Sequence, residues 1–160
     1  MKKIASFMLM AVLLAAACKK SDTQPDPKPD PGTPGDTAKN VDIRGIIIAD
    51  QHWEKAQTYR LRGYVYVNNG ATLTIDAGTK IVSNKDSAGV LVIYRTAKIN
   101  ATGTATDPIV FTSNEATPQP GDLGGVVLVG QASGNGNHAV LEGGVDAAFS
   151  VFGGTNDADN

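Results

Sequence analysis

A repeat of short apolar runs, bounded by glycine, asparagine, aspartate or proline, limits the folds open to this 160-residue chain more than any other feature. Residues 65–67 and 71–75 return 26 positions later as residues 91–93 and 97–101. Short β-branched and aromatic runs between turn residues are typical of strands. A fixed period of about 20 to 50 residues is typical of repeat architectures. The sequence therefore predicts stacked units of short strands.

The turns between these runs also repeat. Gly78-Thr79 is echoed by Gly103-Thr104 at a shift of 25, and Ser83-Asn84 is echoed by Ser113-Asn114 at a shift of 30. In a β-solenoid each strand pairs in parallel with its equivalent one coil away. We predict an all-β domain over residues 41–160, a right-handed parallel β-helix of about three coils in which residues 126–129 begin the third.

An antiparallel β-sandwich with hairpins of similar length is the alternative fold, although a sandwich has no reason to repeat its turn chemistry. Only residues 51–61 could hold a helical turn, and the end of that segment, residues 58–61, is typical of a strand. Gly70, Gly78 and Gly103 are predicted to occupy corners that need a positive φ. The side chains expected to stack inside the solenoid are Leu73, Ile75, Ile99, Ile109 and Phe111.

The first 17 residues predict a lipoprotein signal peptide. Lys2 and Lys3 form a basic start, and residues 4–17 are an apolar run too short to span a bilayer. The run ends Leu-Leu-Ala-Ala-Ala-Cys, which resembles a lipobox with Ala15 where the usual pattern has leucine. Ordinary cleavage after the alanines is the alternative. We predict that Cys18 is acylated and anchors the protein to a membrane.

Residues 18–40 predict an extended tether. Five prolines stand between residues 25 and 34, and they remove backbone donors and favour polyproline-like conformations. Lys19 stands where some bacteria use aspartate to retain lipoproteins at the inner membrane, which favours the outer membrane or the cell surface. Cys18 is the only cysteine, so no intrachain disulfide stabilises the domain.

Several longer runs carry a family resemblance. Residues 64–79 (Tyr-Val-Tyr-Val-Asn-Asn-Gly onward), 107–113, 120–126 and 153–160 resemble, in that order, a family of Bacteroidetes-type cell-surface lipoproteins. The resemblance covers about residues 42–160 and implies a parallel β-helix of the pectin-lyase-like kind. Members of the family usually continue through further coils, so we expect the chain to be cut short. Two triplets also resemble the O-glycosylation acceptor of such bacteria, with Thr37 and Ser87 as the acceptors.

The residues that carry chemistry are scattered along the sequence. His52 and His138 lack partners at metal-ligand spacing. Asp76, Asp86 and Asp107 fall at corners of different units, so neither a carboxylate pair nor a calcium cluster is evident. We predict no catalytic residues, no metal site and no cofactor.

Two weaker candidate sites remain. Asp157 and Asp159, in the run Asn-Asp-Ala-Asp-Asn, resemble part of a calcium loop, with a solvated turn as the alternative. The alternating Arg60, Arg62, Tyr64 and Tyr66 could form a ligand face, or could simply cover the edge of a core.

Charge and motifs together set the functional hypothesis. The net charge of −2 falls to −4 when Lys2 and Lys3 leave with the signal peptide, which argues against a nucleic-acid partner. The sequence favours a non-enzymatic, lipid-anchored and exported scaffold that binds polysaccharide or another cell-surface component. The alternative is a fragment of a lipid-anchored polysaccharide lyase or hydrolase whose active site lies on further coils.

Overall fold

A computed structural model describes residues 39–134 and 140–158 of the chain. The predicted signal peptide, Cys18 and nearly all of the tether lie outside these ranges. No helix among the described residues is long and apolar enough to cross a membrane. Within the same ranges the regular structure is two 3₁₀ turns, at Lys85–Ser87 and Ala147–Phe149, and nine strands: β1 (Lys39–Ile47), β2 (Gln51–Trp53), β3 (Gln57–Val67), β4 (Thr72–Ile75), β5 (Lys80–Ser83), β6 (Val90–Ile93), β7 (Lys98–Ala101), β8 (Val110–Ser113) and β9 (Gly125–Leu128).

The strands β1 and β3 are each bent into two halves. Residues 58–61 of β3 pair with β5, whereas residues 64–67 pair with β6. The bend lies at Gly63, whose φ of +72° is a left-handed conformation that glycine adopts without strain. β1 pairs with both halves of β3 and shifts register before Gly45, where φ is +75°. Each of the first two coils therefore turns a corner inside one continuous strand.

The bends divide the molecule into three sides. Side A contains the first halves of β1 and β3 with β5 and β8, side B contains their second halves with β6 and β9, and side C contains β2, β4 and β7. Every ladder between these strands is parallel. Three complete coils and two strands of a fourth result, which confirms the parallel β-helix of about three coils. The antiparallel sandwich is wrong.

The strand register confirms two of the three repeat spacings. Val65 pairs with Leu91 at the predicted shift of 26, and Ser83 pairs with Ser113 at the predicted shift of 30. Residues 126–129 belong to the fourth coil rather than the third, because the strands β1 and β2 form a first coil that the repeat did not show. The strand predicted at residues 58–61 is confirmed as part of β3, and residues 51–53 form β2, so the one segment that could have held a helical turn contains strands instead.

The corner glycines differ from one another. Gly70 and Gly78 have the predicted positive φ, at +72° and +82°. Gly103 does not, and its pairing with the Gly78 corner is also wrong, because the amide of Val110 bonds to the carbonyl of Thr79. A Cβ on Gly103 would lie 2.9 Å from the backbone nitrogen of Ile109, so backbone crowding explains this glycine.

Inward side chains of the coils form a continuous core. Leu61, Val65 and Leu73 are fully buried, as strand alternation requires of the inner surface. Of the predicted stack, Leu73 and Ile75 are buried, whereas Ile99, Ile109 and Phe111 are partly buried and pack against the core. Burying each large aliphatic side chain stabilises the fold by about 1.5 to 3 kcal/mol. This apolar stack is the main source of stability in a domain without a disulfide.

A strap formed by residues 140–151 covers part of the outer surface of side B. The strap closes on itself through an antiparallel bridge between Val140 and Val151 and a 2.8 Å bond from the Leu141 amide to the Ser150 carbonyl. Its apolar residues pack on the outward residues of side B and its margins, giving a second cluster that includes Tyr66, Val90, Val92, Val127, Leu141, Val145 and Phe149.

Candidate functional site

The outward surface of side C carries polar side chains in register over three coils. His52 pairs with Thr74, and Thr74 pairs with Asn100. Neighbouring strands lie about 4.8 Å apart, so these three residues form one column across the sheet. His52 and Asn100 are exposed and Thr74 is half-buried. The column presents an imidazole, a hydroxyl and a carboxamide, which donate and accept hydrogen bonds.

A second row of polar groups lies beside this column. Thr72 pairs in register with the exposed Lys98. The backbone amide of Thr72 donates to Oδ1 of Asp50 at 2.8 Å, which fixes the carboxylate at the edge of the same sheet. Side C therefore has both charged and neutral hydrogen-bonding groups on its outward surface.

The imidazole of His52 is held by a carboxylate from the next coil. Nε2 of His52 lies 2.6 Å from Oδ1 of Asp76, and both side chains are about half exposed. The hydrogen bond with Asp76, and then its charge, raise the pKa of His52 above the ordinary value of 6.5. Asp76 thus favours the protonated imidazole, which is a hydrogen-bond donor rather than an acceptor.

A second cross-coil ion pair stands at the corner between sides C and A. Nζ of Lys55 contacts Oδ1 of Asp107, and this contact lowers the pKa of the Asp107 carboxyl. Lys55 passes over Gly78, where a Cβ would lie 2.9 Å from the Lys55 side chain. Neither pair is evident from the sequence, because its members are 24 residues apart in one pair and 52 in the other. The parallel register of the coils was the signal that could have placed them together.

The arginine half of the predicted ligand face forms an ion-pair group. Nε of Arg60 donates to Oδ1 of Asp42 at 2.7 Å, and Nε of Arg62 donates to Oδ2 at 3.1 Å. Arg44 reaches the same carboxylate at 3.5 Å. Partial burial raises the pKa of Asp42, but the hydrogen bonds from Arg60 and Arg62 outweigh this effect and hold the pKa below its ordinary value.

The tyrosine half of that face is occupied by the strap. The hydroxyl of Tyr64 donates to the carbonyl of Gly143 at 2.6 Å, and the amide of Asp146 donates to the hydroxyl of Tyr66 at 3.0 Å. The ring of Tyr66 stacks on Phe149 with 4.3 Å between centroids and is 7% exposed. Both tyrosines thus contact the strap of the same chain. Ligand binding at this face stays a prediction.

The remaining predicted residues are placed as follows. Oδ1 of Asp157 accepts hydrogen bonds from the amide and hydroxyl of Ser133, and these lower the pKa of Asp157. Its predicted partner Asp159 lies outside the described residues, as does His138. Among residues 39–134 and 140–158, no group of three or more histidine, cysteine, aspartate or glutamate side chains is arranged to hold a metal ion.

The two predicted glycosylation sites differ in what the structure describes. The hydroxyl of Ser87 donates to the carbonyl of Asn84 at 3.0 Å in the 3₁₀ turn that follows β5. Thr37 and the predicted lipidation site Cys18 fall outside the described ranges.

The sequence was compared with known proteins. No curated protein and no solved structure matches it. The sequence model of one family, described as a pectate-lyase-like beta helix domain, matches residues 45–160. The match covers more than half of the chain and includes every strand described above except the first half of β1. The chain therefore belongs to the pectate-lyase-like beta helix domain family.

Proposed function

We propose that this protein is an exported, lipid-anchored scaffold that binds polysaccharide on the outward surface of side C. The name of its family refers to a lyase that acts on a polysaccharide, which supports a polysaccharide-related role. The binding surface, the anchor and the absence of catalysis are our own proposals.

The observation that carries this proposal is the polar column on side C. His52, Thr74 and Asn100 lie in register on three coils, whereas the strap covers part of side B. A polysaccharide presents hydroxyl groups that both donate and accept hydrogen bonds at regular intervals. A column of fixed polar groups repeated along the solenoid is suited to such a polymer.

The electrostatics of His52 favour a hydrogen-bond donor over a general base. A general base must be largely deprotonated at the working pH, and it works best with a pKa near that pH. The carboxylate of Asp76 raises the pKa of His52, so a larger fraction of the imidazole is protonated at neutral pH. In this state both ring nitrogens of His52 are donors, so Nδ1 can donate a hydrogen bond to a sugar oxygen while Nε2 contacts Asp76.

The binding surface can be tested with a double variant. The full chain is screened against soluble dextran, xylan, starch and polygalacturonate, and each sample is scored for both retention and cleavage. Substituting His52→Ala and Asn100→Ala removes two of the three groups in the column. Since hydrogen bonds of this kind contribute about 1 kcal/mol or more each, we expect affinity to fall about tenfold or more.

A matched control separates this surface from a general loss of binding. Asn40→Ala removes an exposed strand asparagine from side A and is expected to leave affinity unchanged. Equal losses in the control and the double variant would reject side C as the binding surface. Release of shorter sugars by the parent protein would show that it is an enzyme and would contradict the proposed non-catalytic scaffold.

The lipid anchor is tested by Cys18→Ala. Two or three acyl chains stabilise membrane attachment by about 0.8 kcal/mol per buried methylene, so loss of the cysteine is expected to release the protein. Membrane fractionation and labelling with a palmitate analogue provide the measurement. A variant that still fractionates with membranes as the parent does would contradict the anchor.

A further inference from the structure

A compact charged group occupies the outer surface of the first two coils, near the bend between sides A and B. Asp42 and Arg44 lie on β1, and Arg60 and Arg62 lie on β3. Asp42 is directly in register with Arg60, and the members of each pair are two residues apart on their strand, so all four side chains share the outward surface. Three of the four side chains are about one quarter to one third exposed, and that of Arg44 is 70% exposed.

This group has an excess of positive charge. Three guanidinium groups surround one carboxylate, and among residues 39–134 and 140–158 none of the three forms an ion pair with another acid. The local charge is therefore +2 in a chain whose net charge is −2. Arginine stays protonated at all relevant pH values, so this excess is permanent.

The group also has an excess of hydrogen-bond donors. Each guanidinium carries five N–H donors, whereas one carboxylate offers about four acceptor positions. Asp42 is contacted by Nε of Arg60 and by Nε of Arg62, and it can accept only a minority of the donors around it. Asp42 thus orients the two guanidinium groups without saturating them.

We propose that Arg44, Arg60 and Arg62 form a binding site for a phosphate monoester, with Asp42 as the positioning residue. A phosphate monoester carries about −1.5 to −2 charges at neutral pH, which matches the local excess better than the single charge of a carboxylate. Arg60 and Arg62 are separated by about 6.6 Å along the strand, so two guanidinium forks can contact different oxygens of one tetrahedral group. The site is on side A, near its bend with side B, whereas the proposed polysaccharide surface is on side C, so the two proposals are independent.

The phosphate group can belong to a soluble sugar phosphate or to a lipid headgroup. Isothermal titration calorimetry on the full chain with glucose 6-phosphate tests the first source. Cosedimentation of the Cys18→Ala variant, which lacks the proposed lipid anchor, with phosphatidylcholine vesicles with and without phosphatidic acid tests the second. Glucose and glucuronate serve as the neutral and singly charged comparisons. Binding of either phosphate probe, with weaker binding of glucuronate, is the expected result, and the stronger probe identifies the source.

Substitutions locate the site. Since hydrogen bonds to charged groups contribute about 1.5 to 3 kcal/mol, Arg60→Gln with Arg62→Gln is expected to weaken phosphate binding at least tenfold. Lys55→Gln with Lys98→Gln removes the same charge from exposed positions away from the arginines, in the corner after β2 and on β7, and is expected to change affinity by less than about twofold, because salt screens distant charges. Replacing both arginines by lysine keeps the charge but loses the fork, and is expected to restore only part of the affinity.

Arg44→Gln does not touch the contacts of Asp42 with Arg60 and Arg62, so this variant is expected to keep the fold. It is also expected to bind phosphate more weakly, and that loss would not be due to altered folding. Absence of binding to both phosphate probes would overturn the proposal. Equal losses in the arginine and lysine double variants, or equal affinity for glucuronate and glucose 6-phosphate, would also overturn it.

Discussion

His52 illustrates how the coils assemble a pair of residues that the linear sequence separates. Its partner Asp76 follows β4 in the next coil, and the short bond between them raises the pKa of the imidazole. Because the folded pKa lies above the unfolded value near 6.5, the pair contributes stability that is fully present below pH 6.5. That contribution is lost as the pH rises through the folded pKa.

A nuclear magnetic resonance titration of the His52 ring tests this pair. We expect a pKa above 6.5 in the parent chain and a return towards 6.5 in Asp76→Asn, because that variant loses the carboxylate charge. Asp86→Asn, in the 3₁₀ turn beyond β5, is the control and is expected to leave the His52 pKa unchanged. The same pKa in the parent and in Asp76→Asn would show that the contact does not form in solution.

Individual functional residues were predictable from the sequence only in part. Arg60 and Arg62 were recognised from their alternation on a strand, but Asp42 lies 18 residues before Arg60, and only the β1–β3 register places it there. Tyr66 was predicted as part of an open face. The strap residue Phe149 covers it, and this long-range packing leaves no local pattern in the sequence.

At the scale of strands and corners, glycine permits close approach between coils. A Cβ on Gly89 would lie 2.6 Å from Cβ of Leu61 and 2.9 Å from Oγ of Ser83. The amide of Gly89 also donates to Oγ of Ser83 at 2.6 Å, so the corner cannot move away without losing this bond. The backbone of side A turns into β6 at this position because no side chain intervenes.

Gly89→Ala is therefore expected to destabilise the fold. Inserting a methyl group into a closely packed corner costs about 1 to 3 kcal/mol. Gly134→Ala is the matched control, since nothing lies within 4 Å of the added Cβ, and it is expected to change stability by less than about 0.5 kcal/mol. Urea unfolding midpoints give both values. Equal stabilities of the two variants would contradict the packing of this corner.

The sequence repeat predicted the strands best where two paired strands keep one constant register offset. The echo of residues 65–67 in residues 91–93 follows the β3–β6 register directly. The first coil went unnoticed because β1 pairs with β3 at offsets of 18 and then 20, with a register shift between Ile43 and Gly45. The predicted match of Gly103-Thr104 with the Gly78 corner is wrong because residues 102–109 form a longer corner. The backbone hydrogen bonds of that corner differ from those at Gly78.

Over the whole molecule, the three sides of the solenoid have different outer surfaces. The strap covers part of side B, the arginine group marks the first coils near the bend of side A, and side C carries the polar column. At the fourth coil, the inward residues Val126 and Leu128 are 41% and 68% exposed, so the described residues do not close this end of the core. The division of sides follows from the bends at Gly45 and Gly63 together with the parallel register.

The most direct test of the proposed binding surface is an amide chemical-shift map of the full chain, recorded with and without the polysaccharide that binds best in the screen. Binding on side C predicts that the largest shifts cluster at His52, Thr74 and Asn100, which lie in register there. Shifts confined to sides A or B, or no shifts with any polysaccharide, would contradict it.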